Sequence, residues 1–292
     1  MRYMVMGAAL LLAWGPALSA ADDKPDKKDL TPAEEYKALI AAYQKQQEEC
    51  YALLREAKTD EERQRIFTEK MPKPDKVAVR LLELAEENSK DVGVVPDALI
   101  WVVTNGGHGA DAAKKKDKAL DLLLNHAGND KVVSVCQTLS YTPSLKNEQF
   151  IRAVVEKCNT NEGKGKATYS LGLYIKRTAE AATTIKEQPD LAKQYEDAYG
   201  KDIIKKLQDS DPAALTKEAE KLFELVAGEY PAVKMYGEET LGDLAKGELF
   251  EMRNLAIGKT APEIEADDLD GNKFKLSEYR GKVVVIDFWG NW

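Results

Sequence analysis

The feature that most constrains this chain is the apolar run Val-Val-Val-Ile at residues 283–286, close to its C-terminal end. An uninterrupted apolar run of this length is typical of a strand that is buried on both faces of a parallel or mixed sheet. Such a strand needs hydrogen-bonding neighbours on both edges and helices on its faces. We therefore expect residues 281–292 to belong to an α/β domain and to contain its central strand.

The residues that precede this run predict a β-hairpin and a short helical turn. Residues 263–269 are expected to form one strand, and residues 272–276 to form the returning strand. Between them, Asp270 and Gly271 make up a dipeptide that favours a two-residue turn. Ser277 is expected to cap the short helical turn that leads to the apolar run.

Three short motifs in this region resemble a known family and occur in the family's order. The hexapeptide Asp-Phe-Trp-Gly-Asn-Trp at residues 287–292 is similar to the thioredoxin-family segment Asp-Phe-Trp-Ala-x-Trp, which leads directly into the redox Cys-x-x-Cys. Residues 257–262 resemble the N-terminal arm of redoxin domains of the peroxiredoxin-like and TlpA-like kind, and residues 276–282 continue the match. The resemblance implies an incomplete thioredoxin-like domain at residues 257–292, with the catalytic cysteine pair placed after Trp292.

The same resemblance assigns roles to three side chains. Asp287 matches the buried aspartate of thioredoxins, which takes part in proton transfer to the second active-site cysteine. Trp289 and Trp292 match residues that pack beside the cysteine pair and present a surface to substrate proteins. The alternatives are a solvated carboxylate at a strand end and tryptophans that pack in the core or at a sheet edge. We expect no cofactor, and no metal, since neither His108 nor His126 has a second ligand at metal spacing.

The three cysteines of the chain are Cys50, Cys136 and Cys158, and they form neither a Cys-x-x-Cys motif nor a zinc-binding pattern. We expect them to be small buried residues on helices. A disulfide between Cys136 and Cys158 is an alternative that the sequence leaves open. Thioredoxin chemistry depends on a low-pKa thiolate at a helix N-terminus. None of the three takes that place, because each lies in the helical part without a close cysteine partner.

Residues 31–256 predict a helical domain. Thr31, Pro32 and Glu34 form a helix start with a capping box, and apolar residues then recur at helical spacing. A polar loop is expected at residues 159–165 as a joint between subdomains. The helix pairs resemble an α-solenoid of the tetratricopeptide or HEAT kind, but they show no fixed period, and a non-repetitive bundle is the alternative. The expected fold is mainly α, followed by the first strands of a thioredoxin-like domain.

The N-terminal residues 1–21 are typical of an export signal peptide. Arg2 supplies the positive charge, an apolar stretch follows, and residues 19–21 offer a cleavage site of small residues. The apolar stretch is shorter than the ~20 residues that a spanning helix needs, which favours cleavage over a membrane anchor. Residues 22–30 form a charged leader. We therefore expect an exported protein of the periplasm or cell envelope that does not require the membrane.

These observations lead to two functional hypotheses. In the first, the chain is a thioredoxin-family thiol–disulfide oxidoreductase of the cell envelope, whose partners are protein thiols or disulfides and an envelope reductant. Peroxide reduction fits the Trp-Gly-Asn-Trp motif less well. In the second, the helical domain is a non-enzymatic protein-interaction module and the redoxin segment is vestigial. The formal net charge of -8 argues against nucleic acid as a partner in both cases.

The position of Trp292 leads to two further expectations. Because the resemblance places the nucleophile after this residue, we expect the 292 residues to be inactive in thiol–disulfide exchange. A UGA codon for selenocysteine, a nonsense mutation and a broken gene model are explanations that the sequence leaves open. We also expect residues 283–292 to be poorly ordered and prone to aggregate, because an unpaired apolar strand invites edge pairing.

Overall fold

The computed structural model describes residues 30–107, 109–287 and 290. The described chain is mainly α, as predicted, and its strands are short. The helices are α1 Pro32–Glu56, α2 Asp60–Lys70, α3 Asp75–Glu87, α4 Val94–Asn105, α5 Ala110–Leu123, α6 Val133–Leu139, α7 Leu145–Lys157, α8 Asn161–Glu187, α9 Asp190–Tyr199, α10 Lys201–Asp209, α11 Pro212–Glu229 and α12 Leu241–Phe250. The strands are β1 Lys234–Tyr236, β2 Glu239–Thr240, β3 Glu265–Asp267 and β4 Lys273–Lys275.

Helix α1 begins where the sequence predicts. Thr31 accepts a hydrogen bond from the amide of Glu34 at 3.3 Å, and the Glu34 carboxylate accepts one from the amide of Thr31 at 2.8 Å. The predicted capping box is therefore present. Thr59 caps α2 by accepting from the amide of Glu62 at 3.1 Å. The prolines that follow α2 interrupt the helix, and α3 begins at Asp75.

Helix α8 lies at the centre of the helical part. It packs against α6, α7, α9, α10, α11 and α12, and its side chains Leu171, Tyr174 and Ile175 are almost completely buried. The approach to α11 is close, because a Cβ atom on Gly172 would lie 2.8 Å from the ring of Phe223. Close-packed interiors leave no room for such an added atom, so Gly172 sets the distance between the two helices.

The prediction of a loop at residues 159–165 is wrong. Helix α8 begins within this stretch, with Thr160 as its N-cap, and Gly163 and Gly165 are buried in its first turns. A Cβ atom on Gly163 would overlap the sulfur of Cys158. These glycines therefore serve the close packing of a helix, and the unbroken helix leaves no subdomain joint at this position.

A smaller apolar cluster lies along the C-terminal half of α8, apart from the main core. Its buried members come from α8 and α10: Ala182, Ile185, Ile203, Ile204 and Leu207. An ion pair between Lys206 and Glu148 also joins α10 to α7. These contacts join α10 to α7 and α8 and do not establish a repeat, so the solenoid and the bundle both stay predictions.

The end of the helical part has two features that the sequence analysis did not predict. Strands β1 and β2 pair antiparallel in a short hairpin, where Gly237 takes a φ of 52° that favours glycine. Helix α12 then continues into a π-helical turn at Glu251–Leu255. Lys176 of α8 holds this region through ion pairs to Glu248 at 2.8 Å and to Glu251 at 3.0 Å. The point from which the chain continues to its C-terminal segment is therefore anchored to the central helix.

Candidate functional site

The predicted hairpin of β3 and β4 is present, but its turn is longer than the two residues predicted. Asp267 pairs with Lys273, so residues 268–272 form the turn. The Asp268 carboxylate accepts hydrogen bonds from the backbone amide of Asn272 at 2.7 Å and from its side-chain amide at 3.1 Å. These hydrogen bonds hold the pKa of Asp268 below its usual range. A side chain that caps the turn therefore sets its length.

The chain before the hairpin is tied to a short 3₁₀ helix after it, Leu276–Tyr279. The amide of Leu276 donates to the carbonyl of Ile264 at 2.9 Å. The Glu263 carboxylate accepts from the amide of Ser277 at 2.9 Å, and hydrogen bonds from Ser277 lower the pKa of Glu263. The predicted helical turn is therefore present, but Glu263 fixes it instead of a cap by the Ser277 hydroxyl.

The predicted central strand is not formed in the part of the chain that the structure describes. Residues 283–287 have no regular secondary structure. Val283 and Val285 are 97% and 87% exposed, whereas Val284 and Ile286 are 43% and 48% exposed. This alternation has the period of a strand, and it shows that one side of the segment is partly covered while the other faces solvent.

Two open clefts lie where this segment meets the hairpin. One has a volume of about 300 Å³ and is lined by Ile264, Phe274, Leu276, Tyr279, Val284, Val285, Ile286 and Asp287. The other has a volume of about 290 Å³ and is lined by Thr260, Ala261, Pro262, Glu263, Leu276, Ser277, Tyr279, Arg280, Val284 and Ile286. Folded interiors rarely leave spaces larger than a water molecule. The apolar side of the segment is therefore packed only in part.

Asp287 lies at the edge of the 300 Å³ cleft, and it is exposed. The burial expected of this carboxylate is therefore not formed among the described residues. Its neighbours in the cleft include the apolar side chains of Ile264 and Phe274. Trp289 and Trp292 lie outside the described residues. The roles of all three predicted site residues stay predictions.

The three cysteines are buried in the helical part, as predicted. Cys50, Cys136 and Cys158 are free, so the alternative disulfide is not present. Burial raises the pKa of the Cys136 thiol far above its usual range. The Cys158 thiol donates to the carboxylate of Asp130 at 3.3 Å. Thiols in such surroundings are poor nucleophiles, because the reactive species is the exposed thiolate.

The described part of the chain offers no cluster of ligands for a metal ion. Among its histidines, cysteines, aspartates and glutamates, no three lie together in an arrangement that could hold one. His126 is buried in the 3₁₀ turn after α5, and burial lowers its pKa. Within the same described residues, no helix has the length and apolarity that crossing a bilayer requires.

Known proteins resemble this chain in its C-terminal segment. The family model described as AhpC/TSA family matches residues 257–292. The thiol-disulfide oxidoreductase ResA of Geobacillus kaustophilus (strain HTA426) is 48% identical over 42 residues, which are 14% of this chain and 24% of that protein. ResA of Geobacillus thermodenitrificans (strain NG80-2) is 45% identical over 42 residues, with the same two shares. ResA of Bacillus thuringiensis subsp. konkukian (strain 97-27) is 39% identical over 49 residues, 17% of this chain and 28% of that protein.

The chain thus spans about a quarter of the length of these curated relatives. No solved structure matches it. The hairpin of β3 and β4 lies within the segment that the family model matches, residues 257–292. These matches support a redoxin of the AhpC/TSA and TlpA-like kind for this segment, the family that the motifs predicted.

Proposed function

We propose that this protein is a thiol–disulfide oxidoreductase of the cell envelope, which exchanges disulfides with protein substrates and is served by an envelope reductant. The observation that carries the proposal is the match of residues 257–292 to the AhpC/TSA family, together with relatives named thiol-disulfide oxidoreductase. The signal-like composition of residues 1–21 supports the location.

In this proposal Asp287 is the proton acceptor of the exchange reaction. A thiolate attacks a substrate disulfide to give a mixed disulfide, and a second thiol resolves that bond after losing its proton. The 300 Å³ cleft gives Asp287 an apolar border, with Phe274 and Ile264 among its lining residues. Trp289 and Trp292 are proposed to present the substrate surface.

The nucleophile is proposed to lie outside the three cysteines of this sequence. Cys50, Cys136 and Cys158 are 1%, 0% and 2% exposed, and each belongs to the helical part. A buried thiol cannot reach a protein disulfide without unfolding. We therefore expect residues 1–292 alone to show no thiol–disulfide exchange, and a variant with all three cysteines replaced by serine to behave identically.

A chimera tests the proposal. Residues 1–292 are joined to the part of Geobacillus kaustophilus ResA that follows its matched region, and reduction of insulin disulfides by dithiothreitol is followed. We expect exchange above the background rate, and we expect Asp287→Asn to slow it by about 10²-fold, as loss of a positioned acid–base group does. Asp270→Asn, which makes the same charge change in the exposed turn, is the matched control. A chimera that folds by circular dichroism but gives only the background rate would refute the proposal.

The second candidate function is a non-enzymatic interaction module with a vestigial redoxin segment. The observation that favours it is the uneven packing of the chain, since the large core lies in the helical part and residues 283–287 are not buried. Deleting residues 257–292 from the gene separates the two functions. An unchanged phenotype supports the module, whereas a phenotype that follows reductant supply supports the oxidoreductase.

A further inference from the structure

The loop between α6 and α7 holds an exposed tyrosine in a fixed position. Tyr141 is 57% exposed, yet the residues around it are tied down from two helices. Asn147 of α7 donates to the carbonyl of Thr142 at 2.9 Å. The hydroxyl of Tyr174 of α8 donates to the carbonyl of Ser144 at 2.9 Å. An aromatic ring displayed on such a pre-organised loop loses little conformational entropy when a partner binds.

One face of the Tyr141 ring already contacts a cation within the protein. The guanidinium carbon of Arg177 lies 4.3 Å from the ring centroid, which is the geometry of a cation–π interaction. Arg177 also donates to the carbonyl of Ser140 at 3.3 Å, and this hydrogen bond fixes the guanidinium in place. The ring therefore provides a surface that suits a positively charged group.

A second half-exposed tyrosine belongs to the same surface. Tyr236 of β1 is 47% exposed. Burial and then the nearby phenol of Tyr141 raise the pKa of Tyr236. The pKa of Tyr169 on α8 is also raised, first by burial, then by Glu248, and then by Tyr236 and Tyr141. These mutual effects are consistent with phenol groups from a loop, a helix and a strand that face one region of the surface.

The charges around the tyrosines favour a cationic partner. Lys176 is occupied by its ion pairs to Glu248 and Glu251. Glu239 lies opposite Tyr236 in the pairing of β1 and β2, and Glu180 follows Arg177 by three residues on α8. Among the described residues, neither of these two carboxylates has an ion pair. Burial raises the pKa of Glu180, and repulsion from Glu251 adds to this effect, whereas the charge of Lys176 opposes it. A positive group placed beside this carboxylate would offset the repulsion, so binding of a cation would be favourable.

This surface lies close to the start of the redoxin segment. The π-helical turn that contains Glu251 ends at Leu255, and β3 begins at Glu265. The intervening residues 256–264 span at most about 30 Å when they are fully extended. A protein held at this surface is therefore within reach of the redoxin segment, which raises its effective concentration there.

We propose that Tyr141, Arg177, Glu180, Tyr236 and Glu239 form a docking surface for a partner-protein segment that carries lysine or arginine side chains. The tyrosine rings receive the cationic groups on their faces, and the two carboxylates pair with them. Arg177 keeps the Tyr141 ring in place. That the docked protein is the substrate of the redoxin segment rests on the proposed function, whereas the docking itself does not.

Binding of a defined peptide to the full chain tests this surface. The probe is a fluorescein-labelled peptide of four Lys-Gly-Ser repeats, and fluorescence anisotropy at low salt gives its dissociation constant. We expect Tyr236→Ala and Glu180→Gln each to weaken binding by about three- to tenfold. Raising the salt concentration should weaken binding further, because exposed charges are screened.

The matched controls lie on α1. Tyr51 is 49% exposed and Glu49 is also exposed, so Tyr51→Ala and Glu49→Gln repeat the two chemical changes elsewhere and should leave the affinity unchanged. Thermal unfolding must show that each variant is folded. Equal affinity of the surface variants and the controls would overturn the proposal, as would equal or tighter binding of Glu-Gly-Ser or Pro-Gly-Ser repeats. The assay contains no redox step, so its result is independent of the chimera's activity.

Discussion

The helical part and the C-terminal segment use the same kinds of apolar residues but bury them very differently. Val154 and Phe223 are fully buried, whereas Val283 and Val285 are 97% and 87% exposed. The cause lies in their neighbours, because α8 packs against six helices while residues 283–287 border a short hairpin and two clefts. An apolar run therefore indicates that a segment needs apolar elements to pack against. Whether the run is buried depends on the presence of those elements.

The largest expected difference in stability is between two truncated side chains, one in each region. Phe223→Ala removes a fully buried ring beside Gly172, and it should lower the free energy of unfolding by about 3–5 kcal/mol. Val283→Ala removes exposed atoms and should change it by less than about 0.5 kcal/mol. Urea unfolding followed by circular dichroism measures both. Similar losses in the two variants would show that residue 283 is packed and that the contrast is wrong.

A smaller effect is expected from adding one methyl group inside α8. Gly163→Ala forces a Cβ atom against the sulfur of Cys158 and to within 2.9 Å of the Thr160 hydroxyl, and such overpacking costs about 1–3 kcal/mol. Gly228→Ala in α11 meets nothing within 4 Å, so it should stabilise by about 0.4–1 kcal/mol. Adding Cys158→Ala to Gly163→Ala should recover part of the loss. If Gly163→Ala stabilises as Gly228→Ala does, the close approach is absent.

The sequence predicted the start of α1 correctly, but it did not predict the structural role of Gly163 and Gly165. Thr31 accepts a hydrogen bond from the amide three residues ahead, and such a local contact can be inferred from sequence spacing. Gly163 and Gly165 were assigned to a loop by the same local rules. Their role is to let other residues approach α8 closely, and that depends on tertiary contacts. Local patterns therefore failed where packing between elements decides the structure.

The candidate site, like the helical part, was predicted from local sequence signals but not in the features that depend on tertiary contacts. The dipeptide Asp270–Gly271 predicted a turn, and the structure has a hairpin there, whereas the role that the resemblance gives to Asp287 stays a prediction. The length of the turn depended on the side chain of Asp268, which the dipeptide signal ignores. The docking surface gave no sequence signal, because Tyr141, Arg177 and Tyr236 come from a loop, a helix and a strand that only the fold brings together.

A more modest effect is expected when the pH falls. Burial lowers the pKa of His126, so the folded state favours the neutral imidazole more than the unfolded state does. The stability that this provides is fully present above the unfolded pKa of about 6.5, and it is lost as the pH falls through the lowered folded pKa. His126→Gln should therefore lose less stability than the wild type between neutral and mildly acidic pH. Parallel losses in urea unfolding across that range would contradict the prediction.

The smallest effect on stability is expected from a charge in the exposed segment. Val285→Lys should leave the free energy of unfolding of the helical part within about 0.5 kcal/mol of the wild type. It should nevertheless reduce self-association in sedimentation velocity, because a lysine blocks pairing of an exposed apolar edge. Val92→Lys, at a valine that is 69% exposed in the helical part, is the control and should not change association. If both lysines act alike, net charge is the cause. Strong hydrogen-exchange protection of residues 283–287 in the monomer would show instead that the segment is already paired.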